Sequence, residues 1–222
     1  MKKKTKIIIT AVVAAACVIL AFVLIRMSNN DSSDTQFEAI DCGDGIELKS
    51  ISSYDGPFLE DGSDESVSGV MQATVSNNGE SDIEFAYLRV TDEEGNEYTF
   101  KISCLLHGET MTVLEENRAE YKSDMGFETA ELENVAEFTS VPDLHSDIFA
   151  LLLNGNTVTV INDDEVAHSN ICISYKNYDG DTALGGITYR ITIPYLEAGE
   201  SAEISTAHFD ESTSRCIFIT YD

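Results

Sequence analysis

The groups in this chain that could do chemistry are five cysteines, four histidines and 40 acidic residues. Cys172 sits between Ile171 and Ile173, and Cys216 lies beside Ile217 with Ile219 close by. In strands, alternation puts each thiol on the face opposite those isoleucines, so a Cys172–Cys216 disulfide is permitted. It would close a loop of ~44 residues and contribute ~4 kcal/mol. Cys42 and Cys104 are the leftover pairing, and Cys17 lies in an apolar run. His168, Cys172, His208 and Cys216 make a possible soft-metal set, but zinc sites announce themselves with tight Cys or His pairs. Only His168 and Cys172 approach that spacing, which suits a helix better than a strand.

The carboxylates cluster at Asp92 and Glu94, at Asp163 and Asp164, and at Asp179 and Asp181. Calcium needs six to eight converging oxygens at fixed spacing around a glycine, and none of these runs fits an EF-hand loop. Asp and Asn also form turns by bonding their own backbone without an ion. Turn chemistry is therefore expected at all six positions, with cation-dependent adhesion or ligand binding as the alternative. There is no Gly-x-Ser-x-Gly elbow, Walker loop or dinucleotide fingerprint. No catalytic residue, cofactor-binding residue or cofactor is expected, and the chain reads as no enzyme. An unrecognised hydrolase would need a concave pocket with nucleophile and base in reach. Tyr54, Tyr121 and Tyr221 are candidate exposed rings for an interface or sugar platform.

These residues depend on the elements that carry them, and the first is not β-patterned. Ile7 to Ile25 is 19 residues without a charge, preceded by Lys2, Lys3, Lys4 and Lys6. As a helix it would reach ~28 Å, close to the ~30 Å hydrocarbon core of a bilayer. Lysines before the span and only Arg26 after it predict the N-terminus inside and the rest outside. The expectation is a cytoplasmic tail over 1–6 and a transmembrane signal-anchor over 7–25. A cleaved signal peptide ending near Ala16, a lipid on Cys17 and a pilin-type anchor are the alternatives. All 40 acids lie beyond residue 30, leaving eight basic residues against them there, a net −32. Such a surface repels nucleic acid and favours cations or basic partners.

Residues 26–45 are rich in Asn, Ser and Asp and read as a flexible spacer. From Ile46 short apolar–polar alternations recur between turns, which is an all-β pattern. Asp143 to Leu153 is the one helical candidate, ended by Asn154-Gly155. The strands repeat. Ala73 to Asn78 recurs as Val158 to Asp163, and Ile83, Phe85 and Tyr87 answer to Ile171, Ile173 and Tyr175. Tyr98, Phe100 and Ile102 match Tyr189, Ile191 and Ile193, Gly108-Glu109 matches Gly199-Glu200, and Val113 matches Ile204. Two tandem homologous β-sandwich domains are expected, over 46–140 and 141–222, joined near Pro142.

Each copy runs from an Asn-rich turn through an acidic Gly turn to a Gly-Glu turn: Val75 to Gly79, Val90 to Gly95 and Leu105 to Glu109, then Val160 to Asp163, Tyr178 to Gly180 and Leu196 to Glu200. This order resembles the FxLYD-like and related immunoglobulin-like domains of bacterial cell-envelope proteins. Neither copy has Pro before Gly-Glu, and Phe-x-Leu-Tyr-Asp itself is absent. The resemblance implies a spacer or binding module with a protein partner in the cell envelope, and it brings no catalytic residues.

Overall fold

The computed structural model describes residues 37–222. The signal-anchor of Ile7 to Ile25, the tail, Cys17 and residues 26–36 of the spacer lie outside the described residues. Among the described residues no helix is long and apolar enough to cross a membrane. Glu38–Asp222 form one compact unit, and every regular element in it is a strand.

The first half holds β1 (Ile40–Gly43), β2 (Ile46–Pro57), β3 (Ser66–Asn77), β4 (Ile83–Asp92), β5 (Glu97–Leu105), β6 (Thr110–Leu114) and β7 (Phe127–Glu137). The second holds β8 (Phe149–Asn154), β9 (Thr157–Asn162), β10 (His168–Asp179), β11 (Thr182–Leu196), β12 (Ser201–Ser205) and β13 (Ser214–Thr220). In the first half β2-β3-β6 faces β5-β4-β7, and in the second β8-β9-β12 faces β11-β10-β13. In the second half both sheets feed one core, from Phe149, Val158 and Val160 on one side to Ile171, Ile173, Tyr175, Ile191 and Ile193 on the other. In the first, Leu48, Ala73, Val75, Met111 and Val113 are buried on one sheet and Leu88, Val90, Phe100 and Ile102 on the other.

The repeat holds at the level of individual pairs. Val75 lies opposite Met111 as Val160 lies opposite Ala202, and Leu88 opposite Phe100 as Ile173 opposite Ile191. Up to β4 the two halves therefore correspond at an offset of 85, and from β5 at 91. The residues matching Ile171, Ile173 and Tyr175 are thus Ala86, Leu88 and Val90, not Ile83, Phe85 and Tyr87. Irregular pairing of β4 with β7 around Phe85 breaks the simple alternation there. Phe85 and Tyr87 are only half-buried and meet edge to face at 5.0 Å.

The change of offset means six extra residues in the β10–β11 hairpin, and they lie at the junction of the halves. Across from Tyr175 and Asn177 the partners jump from Tyr189 to Leu184, so the second half's hairpin bulges over 185–188. Beyond the bulge, Thr182, Ala183 and Leu184 pair in parallel with Thr110, Met111 and Thr112 of β6. The two halves thereby share a seven-stranded sheet, β1-β2-β3-β6-β11-β10-β13. The bulge is filled from within by Lys176, fully buried, whose Nζ donates to Gly185 O at 2.9 Å and Ile187 O at 2.7 Å. Glu60, from the loop after β2, accepts from Gly186 N at 2.7 Å and Leu114 N at 2.9 Å. Burial pushes the Lys176 ammonium down to about 8 and raises the Glu60 carboxyl. Gly186 is required: a Cβ there would stand 1.7 Å from Lys101 O.

Each half also carries a buried asparagine brace. Asn77 Nδ2 donates to Ser81 O and Leu105 O, and its Oδ1 accepts from Gly79 N. Asn162 repeats this with Val166 O, Leu196 O, Glu197 O and Asp164 N. The Gly-Glu turns match as well, Glu109 capping Leu106 N as Glu200 caps Glu197 N.

Three expectations are corrected. The described end of the 26–45 spacer is not free, because Ile40–Gly43 pairs with β2 and buries Cys42. Gly45 makes that hairpin possible, with φ +76° and a missing Cβ that would meet Gly79. The helical candidate ends as a strand, for Leu151, Leu152 and Leu153 pair with Val160, Thr159 and Val158, and Asn154-Gly155 turns a hairpin. The Cys172–Cys216 disulfide does not form: Cys172 stands opposite Thr220, whereas Cys216 stands opposite Tyr175. A one-residue bulge at Ile217 reverses the parity, turning Cys216 toward the Tyr175 core while Cys172 keeps the opposite face. Cys42, Cys104, Cys172 and Cys216 are all free thiols, and burial raises Cys42 and Cys216 to about 11.

Candidate functional site

Where the chain passes from β7 to β8 it leaves a groove of about 580 Å³, within the usual size of ligand pockets. Phe138 closes β7, its N–H donating to Asp82 O at 3.0 Å. Residues 139–143, with Pro142 among them, then cross to β13, where Ile219 N donates to Asp143 O at 2.9 Å. This places Phe138 against Phe218, edge to face with centroids 5.3 Å apart. Tyr221 forms the far wall, and three rings hold it: His168 at 4.9 Å, His145 at 5.1 Å and Phe149 at 5.2 Å. His168 is itself fixed by Asp164, Nε2 to Oδ2 3.0 Å, a bond that lowers the Asp164 carboxyl below its ordinary range. Val141, 82% exposed, stands at the mouth, and Glu84 and Asp143 bring negative charge to the lining.

Aromatic edges and faces beside carboxylates suit a cationic or apolar-cationic segment, by ion pairing and cation–π contact. The groove also contains Ser140, Asp143 and His145, but His145 Nδ1 stays 3.8 Å from Asp143, and its ring is spent on Tyr221. That is not the hydrogen-bonded relay an activated serine needs.

Of the three tyrosines named from sequence, Tyr221 reaches this groove. Tyr54 donates to Pro57 O and packs on the Phe58, Val70 and Leu114 cluster, while Tyr121 pairs its backbone with Gly69. All three are half-buried. Nothing in the sequence marks Phe138 and Phe218 as partners, because they are 80 residues apart and on unlike elements.

Of the six acidic residues, Asp92 and Asp164 are engaged by their own turns. Asp92 is buried and accepts from Asn96 Nδ2, Asn96 N, Glu94 N and Tyr98 OH, and the Asn96 side chain leads in lowering its carboxyl. Glu94, Asp163 and Asp179 are exposed, and Asp181 lies 3.3 Å from Arg215. These six carboxylates sit in three separate turns. Among the described residues no group of three or more His, Cys, Asp or Glu is placed to hold a metal ion. His208 of the soft-metal set stacks on Tyr189 at 4.9 Å, away from His168 with its Asp164.

No protein-family model matches the chain, and no curated protein matches it. Among solved structures, a two-domain fibronectin type-III segment from chicken tenascin aligns over 79% of this chain and 97% of its own length. The identity is 10% and the TM-score 0.21, a likeness too slight to carry an argument.

Proposed function

We propose that this chain is a non-enzymatic binding or spacer module of the cell envelope, held outside the membrane by the Ile7–Ile25 anchor. The observation that carries the binding role is the groove of Phe138, Phe218 and Tyr221 beside Glu84 and Asp143. Its occupant is a basic segment of an envelope protein. The chain's net charge of −27 attracts such a segment, and the local carboxylates and rings receive it. The spacer role is supported by the joint. A sheet continuous across both halves, with Lys176 buried in it and Glu60 bonded across the joint, resists bending between them. The FxLYD-like resemblance belongs to this reading through its turn chemistry alone.

The anchor is tested on intact cells expressing the full chain. Protease added outside should remove the acidic domain and leave a membrane-bound stub that includes Lys2 to Lys6. A chain recovered whole from the cytosol after the same treatment would overturn the placement.

A further inference from the structure

The seven-stranded sheet and the two three-stranded sheets end in six edge strands, β1, β13, β12, β8, β5 and β7, of which β13 is bonded by Asp143 O and β5 by Glu116 N. Natural proteins guard such edges with charge, proline or a cover, because unpaired N–H and C=O groups invite another strand. Five of the edges here carry a charged side chain, including Asp41, Arg215, Glu203, Lys101 and Glu131. β8 carries none. From Ile148 through Asn162 there is no charged residue, in a chain of which 24% is charged. On β8, Leu152 is 57% and Leu153 40% exposed.

The internal repeat shows what kind of element belongs there. The first-half strand equivalent to β8 is β2, Leu48 opposite Val75 corresponding to Leu151 opposite Val160. The outer side of β2 is covered by β1, with Ile40 opposite Leu48, whereas β8 ends its sheet. The backbone is set to receive a strand. Asp163 N donates to Ile148 O at 2.8 Å, so alternate residues from Ile148 bond toward β9. The N–H and C=O of Leu151 and Leu153 then point away from it.

We infer that β8 pairs antiparallel with β8 of a second copy of this chain, about a two-fold axis through Leu152. In that register Leu151 of one copy exchanges backbone hydrogen bonds with Leu153 of the other, and the two Leu152 side chains meet in a non-hydrogen-bonded pair. The second copy is the occupant because the strand is self-complementary in shape and chemistry. Two chains of −27 can approach most closely where neither bears a charge, and a basic partner would find no carboxylate on this strand. Six residues a side is less than a standard interface, so the dimer depends on concentration.

The test is cysteine crosslinking of the full chain carrying Leu152→Cys, with the parent chain as the blank for its own thiols. A chain-to-chain dimer is expected at Leu152→Cys and not at Val166→Cys, which is 55% exposed away from the strand. Leu153→Pro removes an outward N–H without touching the ladder to β9, and Leu152→Lys puts like charges together. Leu153→Pro is added to the Leu152→Cys chain, and Leu152→Lys to a chain carrying both Ala150→Cys and Asn154→Cys, which face each other across the axis; each should cut the crosslinked dimer at least ten-fold while the thermal melt is retained. Overturning results are no dimer at Leu152→Cys, equal crosslinking at Val166→Cys, crosslinks to other polypeptides only, or a dimer indifferent to both edge variants.

Discussion

Replacing Lys176 by methionine keeps the length of the side chain and removes its ammonium from the joint. In the folded chain that group is buried, donates to two bulge carbonyls and has its ionisation lowered from 10.5 to about 8, chiefly by desolvation. A fall of that size corresponds to about 3 kcal/mol between protonation states. Below about pH 8 the amine is protonated folded and unfolded, so it contributes no slope with pH. Between about 8 and 10.5 the folded chain has released a proton that the unfolded chain retains, and stability rises with pH. The difference in unfolding free energy, parent minus Lys176→Met, should therefore grow by about 3 kcal/mol from pH 7.5 to 10.5. Cys42 and Cys216, raised from 9.0 to about 11, act oppositely above pH 9, but both proteins contain them and their effect cancels. Denaturant unfolding at several pH values measures the difference directly. A difference that stays flat or falls would refute the burial of this lysine between the halves.

The asparagine braces give a second expectation: Asn77→Ala and Asn162→Ala each strand one buried and at least two part-buried partners and should cost about 2–4 kcal/mol in denaturant unfolding. Equal effects would reflect their matching bonds, and a loss under 1 kcal/mol at either would contradict the brace. Gly186→Ala pushes a methyl into Lys101 O and should destabilise by about 2 kcal/mol or more. Gly155→Ala, with no atom within 4 Å of the added carbon, serves as the comparison and pays only for its positive φ. The four described thiols should all react with a thiol reagent once unfolded without reductant, and reduction should add no mass. A gain of about two protons would restore a bridge.

The all-β character was legible because alternation in β4, β5 and β11 and the turns at Asp92–Asn96 and His107–Glu109 are local signals. The repeat was legible too, yet it was aligned three residues off in β4, where irregular pairing hides which face is buried. The same weakness undid the disulfide, since one bulge at Ile217 inverts the parity on which the pairing depended. Least visible was the joint. Parallel pairing of β6 with β11 leaves no trace in either strand's pattern, and Lys176 and Glu60 look like surface charges until the bulge buries the first and bonds the second. The groove is similarly non-local, with Phe138 and Phe218 brought together by the tertiary fold. The bonds of buried Asp92 are local by contrast, because an aspartate accepting from the N–H groups that follow it is a short-range event.

Binding at the groove is the claim on which the functional reading turns, and a photoreactive residue at Val141 in the full chain on intact cells tests it most directly. The expected result is one envelope protein captured through a segment rich in Lys or Arg, with capture lost when Glu84→Lys and Asp143→Lys reverse the local charge. Capture of no polypeptide, or capture that both reversals leave unchanged, would contradict it.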